Sequence, residues 1–263
     1  MNQTVNVVKI GGNIINDPRA LETVLDHFSK LEGPKVLIHG GGKLATELAS
    51  RLGIPQTMVQ GRRVTDEETL RIAIMVYGGW INKSIVAGLQ ARGTPSVGVS
   101  GADLDLIRAV KRNPIPVDYG FVGDITGVNA PALTTLLRSG TTPVFAPLSH
   151  DGRGTLLNTN ADTIAYEVAK ALADSFQVRL LFTFEKEGVL LDVSDDGSLV
   201  RELNPVRYAE LREQGRITDG MIPKLENAFR AIEAGVNEVI LGKAEVLPRL
   251  IERSTGTRLY RDV

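Results

Sequence analysis

The sequence predicts an α/β protein built on a mostly parallel sheet with helices on both faces. Three observations lead there. Short β-rich runs alternate with helical patterns along the chain, glycine clusters follow the runs directly, and 263 residues suffice for one large α/β core. In such sheets ligands bind beyond the carboxyl ends of the strands, which is where the glycine clusters fall.

Residues 5–10 (VNVVKI), bounded by Gly11-Gly12, read as a buried strand. Asp17-Pro18 supplies an N-cap and a proline at the first helical position. Leu21, Val24, Leu25, Phe28 and Leu31 then keep helical spacing, so a helix is expected over 18–31. Residues 35–39 (KVLIH) form a second strand that runs into Gly40-Gly41-Gly42. The next helix carries Leu44, Leu48 and Leu52 on one face and stops at Gly53. Thr65-Asp66-Glu67-Glu68 matches a capping box and opens a long helical pattern ending near Ala91. Gly78-Gly79 interrupts that pattern, as a close helix contact or as a break. Further strands are expected at 96–99, 107–112, 120–125, 143–146 and 178–184, with helices at 131–138, 162–173, 205–213, 223–234 and 245–252. The stretch 111–119 (KRNPIPVDY) reads as a hairpin tip or flap, and residues 195–198 as a turn. With no repeat, linker or composition break, two lobes on one sheet are expected.

Composition narrows the function. Lys+Arg at 30 against Asp+Glu at 31 gives a net charge of −1, which exerts no bulk pull on nucleic acid or anionic lipid. Zero Cys excludes disulfides, zinc–thiolate sites, Fe–S clusters and thiol catalysis. No apolar run approaches the roughly 20 residues of a bilayer span. The start Met1-Asn2-Gln3-Thr4 lacks the pattern of a signal peptide. The expectation is a cytoplasmic protein with a small-molecule substrate and neither nucleic acid nor membrane as partner.

Lys9-Ile10-Gly11-Gly12 sets an ammonium beside backbone that a ligand can approach closely. Gly40-Gly41-Gly42, between a strand and a helix, offers N–H groups to an anion. A dinucleotide fingerprint at Gly40 lacks its ribose-binding carboxylate, because positions 59–61 are Val-Gln-Gly. Asn82-Lys83-Ser84 ends like a Walker loop but lies in a helical pattern without the glycine. In Asn158-Thr159-Asn160-Ala161-Asp162, Asn160 reads as a helix cap and Asp162 as a complement to the dipole; both could also serve a polar ligand. Lys224, just inside a helix start, opposes the macrodipole and makes more sense facing an anion. Arg63 can grip a carboxylate with two parallel hydrogen bonds. Of the three histidines, His27 and His150 read as surface or turn residues and His39 as a structural donor. Cations and donors without a base or a hydrolytic triad suit phosphoryl transfer, where catalysis is positioning and charge neutralisation.

At this point the sequence resembles the amino-acid kinase family, in the branch that phosphorylates N-acetylglutamate in arginine biosynthesis. The resemblance rests on K-I-G-G at 9–12, H-G-G-G at 39–42, G-R-R-V-T at 61–65 and N-K at 82–83. It continues with V-G-V-S-G at 97–101, D-Y-G-F-V-G at 118–123, N-T-N-A-D at 158–162, D-G-M-I-P-K at 219–224 and G-T-R-L at 256–259. The resemblance implies a three-layer αβα sandwich, the amino-acid kinase fold. It implies an N-terminal lobe (1–175) for the acylated amino acid and dimerisation, and a C-terminal lobe (176–263) for ATP. The implied reaction is ATP-dependent phosphorylation of the γ-carboxylate of N-acetyl-L-glutamate to N-acetyl-L-glutamyl 5-phosphate. By resemblance, Lys9 and Lys224 flank the transferred phosphoryl, and Asp162 holds these lysines in place. Gly41, Gly42, Arg63, Asn158 and Asn160 bind the amino acid, while Gly11, Gly12, Thr183, Gly188 and Thr218 bind the nucleotide. Mg²⁺ is held mainly by the nucleotide phosphates, with no protein metal ligand.

Departures from the family pattern carry their own expectations. The nucleotide segment 183–189 (TFEKEGV) is one residue longer than usual. Arg62 adds a second guanidinium, and Ala102 and Leu104 replace the usual Lys and Gly, which raises N-succinyl-L-glutamate as an alternative substrate. A non-catalytic amino-acid sensor and a nicotinamide enzyme are the competing classes. Because the first strand begins near Val5, no N-terminal helix of the kind that links dimers into arginine-inhibited hexamers is expected. The expected assembly is a homodimer insensitive to arginine.

Overall fold

The computed structural model describes residues 3–192, 194–217 and 221–260. In chain order, β1 (Thr4–Ile10) leads through the short helix α1 (Gly12–Asn16) to α2 (Pro18–Ser29), β2 (Lys35–His39) and α3 (Gly42–Arg51). The hairpin β3 (Met58–Val59) and β4 (Arg62–Arg63) precedes a continuous helical rod. That rod consists of α4 (Glu67–Ala73), a π-helical stretch (Ile74–Ile81) and α5 (Asn82–Gln90). Next come β5 (Ser96–Val99), the hairpin β6 (Ile107–Lys111) and β7 (Gly123–Val128), α6 (Ala130–Arg138) and β8 (Thr142–Phe145). The pair β9 (Leu148–His150) and β10 (Leu156–Asn158) leads to α7 (Ala161–Leu172). The remainder holds β11 (Gln177–Phe184), β12 (Val189–Leu190), β13 (Leu199–Val200), β14 (Glu202–Leu203), α8 (Pro205–Glu213) and α9 (Ile222–Glu233). It closes with β15 (Glu238–Lys243), α10 (Leu247–Ile251) and β16 (Thr257–Leu259).

Among the described residues, the main sheet has eight strands in the order β14-β16-β15-β11-β1-β2-β8-β5. The run from β15 to β5 is parallel throughout, as the strand–helix alternation predicts. At the far edge β16 is antiparallel to β15 and carries β14 with it. Strands from the two halves of the chain meet at one seam, where β1 pairs with β11 from Thr4 opposite Gln177 to Lys9 opposite Phe182.

Alternation along β1 builds the layers. Val5 and Val7 enter one hydrophobic cluster with α6, α7 and α9, while Val8 and Ile10 enter the other with α2, α3 and the helical rod. All four are fully buried, and each contributes about 1.5–3 kcal/mol relative to exposure. Lys9 shares the parity of Val5 and Val7, so its side chain emerges on the α7 face.

Several local expectations are corrected. Asp66, and not Thr65, caps the rod by accepting from the Thr69 N–H, which holds its carboxyl below the usual carboxylate range. Thr65 instead joins the backbone ladder to Tyr119 and Phe121. Gly78-Gly79 does not break the rod; it lies in the π-helical stretch, where Leu148 packs close to Gly78. Residues Glu67–Gln90 are, by length and apolar content alone, sufficient to cross a membrane, although Glu67, Glu68, Arg71 and Lys83 leave no unbroken apolar run of that length. Much of that apolarity serves the protein's own core, because Leu70, Ile72, Val76, Tyr77, Ile81, Ile85 and Leu89 are buried. The strand β15 escaped the sequence reading although its Val-Ile-Leu run is fully apolar. His150 is no loose turn residue: its Nε2 lies 2.7 Å from Asp105 Oδ1.

The carboxyl and amino edges of the sheet differ in how their charges are met. At the amino edge Glu238, the buried first residue of β15, receives Arg179, Arg253 and Arg258. Burial alone would raise its pKa, but the Arg179 hydrogen bond and the surrounding positive charge outweigh burial and hold it below the ordinary glutamate value. Past the carboxyl end of β5, Leu104 sits at φ 52°, ψ 23°, a left-handed conformation that costs a side-chain-bearing residue about 1–2 kcal/mol. Its side chain is largely exposed, so little packing depends on it. Leu104→Gly is therefore expected to stabilise the protein by about 0.5–1 kcal/mol in equilibrium denaturant unfolding, the relieved strain exceeding the added freedom of the unfolded chain.

Candidate active site

The two glycine turns meet at the carboxyl ends of β1 and β2. Gly40 N–H donates to Ile10 O at 3.2 Å, so the turn after β2 is tied to the turn after β1. A Cβ on Gly12 would stand 3.9 Å from the Gly41 nitrogen. Gly41 adopts φ 152°, and a side chain there would drive into Ile81 and the Tyr77 ring. Only glycine fits both the conformation and the space. Gly11 caps α1 and Gly41 caps α3, each without a side-chain hydrogen bond to the helix end.

Lys9 emerges from the last turnward position of β1 toward α7, where its Nζ lies 2.8 Å from Asp162 Oδ1. Asp162 is held in place by the α7 cap, in which Asn160 Oδ1 accepts from the N–H groups of Asp162 and Thr163. Lys9, Asp162 and Lys224 line one small cleft with Phe182, Thr183, Phe184 and Asn227. Lys224 reaches it from the first turn of α9, with Nζ 4.7 Å from the centre of the Phe184 ring. The Thr183 hydroxyl donates to Lys9 O at 2.8 Å, which fixes the β1 carbonyl beside the cleft.

A second group gathers around α3. Arg63 Nη2 donates to Gly42 O and to Thr46 Oγ1, each at 2.8 Å, and Nη1 donates to Gln56. Tyr77, from the π-helical stretch, brings its ring against Gly41 and its hydroxyl to Arg63. Burial raises the pKa of that hydroxyl against the Arg63 charge and hydrogen bond. Asn158 Nδ2 donates to Thr65 Oγ1 at 3.0 Å, so β10 is joined to the segment that carries Arg63. The β6–β7 hairpin closes on the same place, through a bridge of Thr65 with Gly120 and of Val122 with Asn158.

The remaining sequence candidates divide. Gly188 lies away from the cleft lining: a Cβ there would stand 2.5 Å from Thr257 Oγ1, and the adjacent Val189 N–H donates to that hydroxyl. Thr218, with Asp219 and Gly220, lies outside the described residues. Arg62 is exposed on β4 opposite Val59. The longer nucleotide segment is anchored by its carboxylates. Asn13 donates to Glu185, and Glu187 pairs with Lys243 at 3.0 Å and accepts from Thr255. Sequence reasoning missed Asn13, Tyr77, Phe184 and Asn227. The aromatic pair gave no periodic signal apart from core, and Asn13 was hidden by its place in an unexpected helix. Among the described residues, no group of three or more His, Cys, Asp or Glu gathers to hold a metal.

His39 lies behind the second glycine turn, fully buried. Its Nδ1 is 2.7 Å from Gly40 O, and its Nε2 is 3.2 Å from Asn82 Nδ2, which also donates to Val144 O at 2.9 Å. Because both Gly40 O and Val144 O only accept, the ring carries its proton on Nδ1 and accepts at Nε2. Burial lowers the His39 pKa to about 4, against the opposing pull of the Gly40 hydrogen bond.

Two lysines and backbone N–H groups around a cleft, with the buried His39 turned away from it, suit a transferase that moves an anionic group. The chain belongs to the amino acid kinase family, whose sequence pattern matches residues 4–243. It is 53% identical over 257 residues to the acetylglutamate kinase of Phocaeicola vulgatus, covering 98% of each chain. It is likewise 53% identical to that of Parabacteroides distasonis, covering 97% of this chain and 98% of the other. Among solved structures, the N-acetylglutamate synthase of Neisseria gonorrhoeae complexed with coenzyme A and N-acetyl-glutamate matches with a TM-score of 0.83. That match is at 24% identity over 100% of this chain and 61% of the other, and it extends to the fold.

The His39 shift has a consequence for stability. The unfolded histidine takes a proton below its ordinary value of 6.5, whereas the folded one resists until about 4. Its contribution is complete above pH 6.5 and is lost as the pH falls toward 4. The expected loss is on the order of 3 kcal/mol, measured by denaturant unfolding across that window, and His39→Asn should flatten it.

Proposed function

We propose that this protein transfers the γ-phosphoryl of ATP to the γ-carboxylate of N-acetyl-L-glutamate, giving N-acetyl-L-glutamyl 5-phosphate and ADP. Two relatives at 53% identity bear the name acetylglutamate kinase, which supports this reading and, with it, a role in arginine biosynthesis. The observation that carries the reading is the shared cleft of Lys9, Asp162 and Lys224 beside the joined glycine turns.

In this mechanism a carboxylate oxygen of the substrate forms a bond to the γ-phosphorus as the bond from phosphorus to the β,γ-bridging oxygen breaks. The acceptor is already ionised at pH 7, so no proton is removed and no general base is needed. Lys9 and Lys224 neutralise the charge on the moving group from two sides. Asp162 orients Lys9 and is not itself a base. Gly41 and Gly42 donate N–H groups beside the reacting carboxylate. Arg63, Asn158 and Asn160 hold the other end of the amino acid, with Tyr77 supporting Arg63. Gly11, Gly12 and Thr183 flank the nucleotide phosphates. Mg²⁺, carried mainly by the nucleotide phosphates, would neutralise phosphate charge when bound. Residues 1–175 form the amino-acid lobe and 176–263 the nucleotide lobe of this cytoplasmic enzyme.

ADP release with N-acetyl-L-glutamate, with the acyl phosphate trapped by hydroxylamine, tests the reaction. Parallel kinetics with N-succinyl-L-glutamate assign the acyl group. Lys9→Ala and Lys224→Ala should each lower kcat by roughly 10²–10³-fold with smaller effects on KM. Near-wild-type kcat in both variants is the result that defeats the assignment.

A homodimer is part of the proposal. Met75 and Trp80 expose 51% and 60% of their surface on the outer side of the helical rod, an apolar pair suited to a second copy of the chain. Sedimentation should give a dimer for the wild type and a monomer for Trp80→Glu; a wild-type monomer removes this part of the proposal.

A further inference from the structure

We infer that His39 is a positioning residue that sets the direction of the Gly41 N–H. The inference rests on the proposed reaction, in which that N–H serves the reacting carboxylate. The peptide unit between Gly40 and Gly41 is planar and trans, so its C=O and N–H point in opposite directions. His39 Nδ1 holds the Gly40 oxygen at 2.7 Å on the buried side. The Gly41 N–H must then project away from the imidazole, toward the space shared with Gly12. Among the described residues no hydrogen bond claims that N–H, which leaves it for a ligand.

The histidine is needed because the turn cannot fix itself. Glycines on both sides of this peptide place little restriction on φ and ψ, and a rotated peptide would present an acceptor where the substrate needs a donor. A rotated peptide would set a carbonyl oxygen against a developing negative charge and remove the donor at once. The imidazole is held in turn by Asn82. With its Nδ2 committed to both Val144 O and His39 Nε2, the amide admits only the Nδ1–H tautomer. Asn82 Oδ1 is buried without a hydrogen bond, and its closeness to Gly98 leaves no room for a side chain there: a Cβ on Gly98 would lie 1.9 Å from it. The relay therefore runs from Val144 in β8 through Asn82 and His39 to the glycine turn. Every link is a directional hydrogen bond in a site closed to water, where such bonds are strongest.

The test is steady-state kinetics of the full chain with N-acetyl-L-glutamate and ATP, together with ¹⁵N NMR of the histidine rings. His39→Leu, which deletes the donor to Gly40 O, should lower kcat about 10²-fold with the KM for ATP unchanged. His39→Asn, whose amide nitrogen stands near the place of Nδ1, should regain most of that loss. The wild-type ring, assigned as the signal that persists in both His27→Gln and His150→Gln, should show the neutral Nδ1–H pattern at pH 7. An Nε2–H tautomer overturns the inference whether or not the variants fold. Wild-type kcat in His39→Leu, or no recovery in a folded His39→Asn, overturns it while leaving the proposed reaction intact. A wild-type protein that releases no ADP overturns the reaction and the inference together.

Discussion

The parallel pairing of β1 with β11 is the constraint on which the remaining arrangement depends. It is the seam between strands drawn from the first and last parts of the chain, and it fixes Lys9 opposite Phe182. A slip of one residue would turn Lys9 from α7 to the opposite face and bury an ammonium against α2, α3 and the helical rod, in the place that Val8 and Ile10 would vacate. The alternation of apolar side chains on both strands makes that slip costly, and the Thr183 hydroxyl adds a directional lock on the Lys9 carbonyl. The Lys9–Asp162 pair is thus a consequence of strand register. Neither residue needs a flexible loop to find the other.

The opposite edges of the sheet illustrate two solutions to charge. At the amino edge, three guanidinium groups converge on the single buried carboxylate of Glu238, and ionic partners lie within the chain itself. At the carboxyl edge, the helices α1 and α3 begin without side-chain caps, and Lys9 and Lys224 line a cleft with Asp162, whose carboxylate pairs with Lys9. Helix N-termini add positive potential there. The first edge is internally satisfied, whereas the second retains positive character that a polyanion can answer. This asymmetry supports a nucleotide-dependent reading more firmly than any one residue.

Much of this was legible in the sequence, for a physical reason. Periodicity reports burial, so the long segments with one buried face, α2, α6, α7 and α9, stand where their apolar spacing puts them, while α8 is marked by its Asn204 cap and Pro205. Glycine pairs report close approach, so the two turns were visible before their contact was. The elements that escaped are those whose cause lies elsewhere in the chain. The two-residue strands β12, β13 and β14 exist because a neighbour supplies the ladder, and α1 because Gly11 turns the chain into it. The capping residue moved from Thr65 to Asp66 because the Thr65 backbone is claimed by Tyr119 and Phe121. Of the candidate site residues, Lys9, Asp162 and Arg63 could be named from local chemistry and resemblance. Tyr77 could not, because a buried tyrosine in an apolar helix looks like core until its hydroxyl is seen against Arg63.

The wider winding of Ile74–Ile81 links the partners of two side chains, Arg63 and His39, that bond the same glycine turn. Each π-type turn takes up about one residue more than an α turn. Tyr77 lies within that interval and Asn82 immediately beyond it, one meeting Arg63 and the other His39. The interval therefore works as a spacer whose count of residues sets the rotational phase between two supports of the same glycine loop. Changes of side chain along its outer surface leave that phase alone. Insertion or loss of a single residue would rotate one support relative to the other by roughly a quarter-turn, so length is more tightly constrained here than composition.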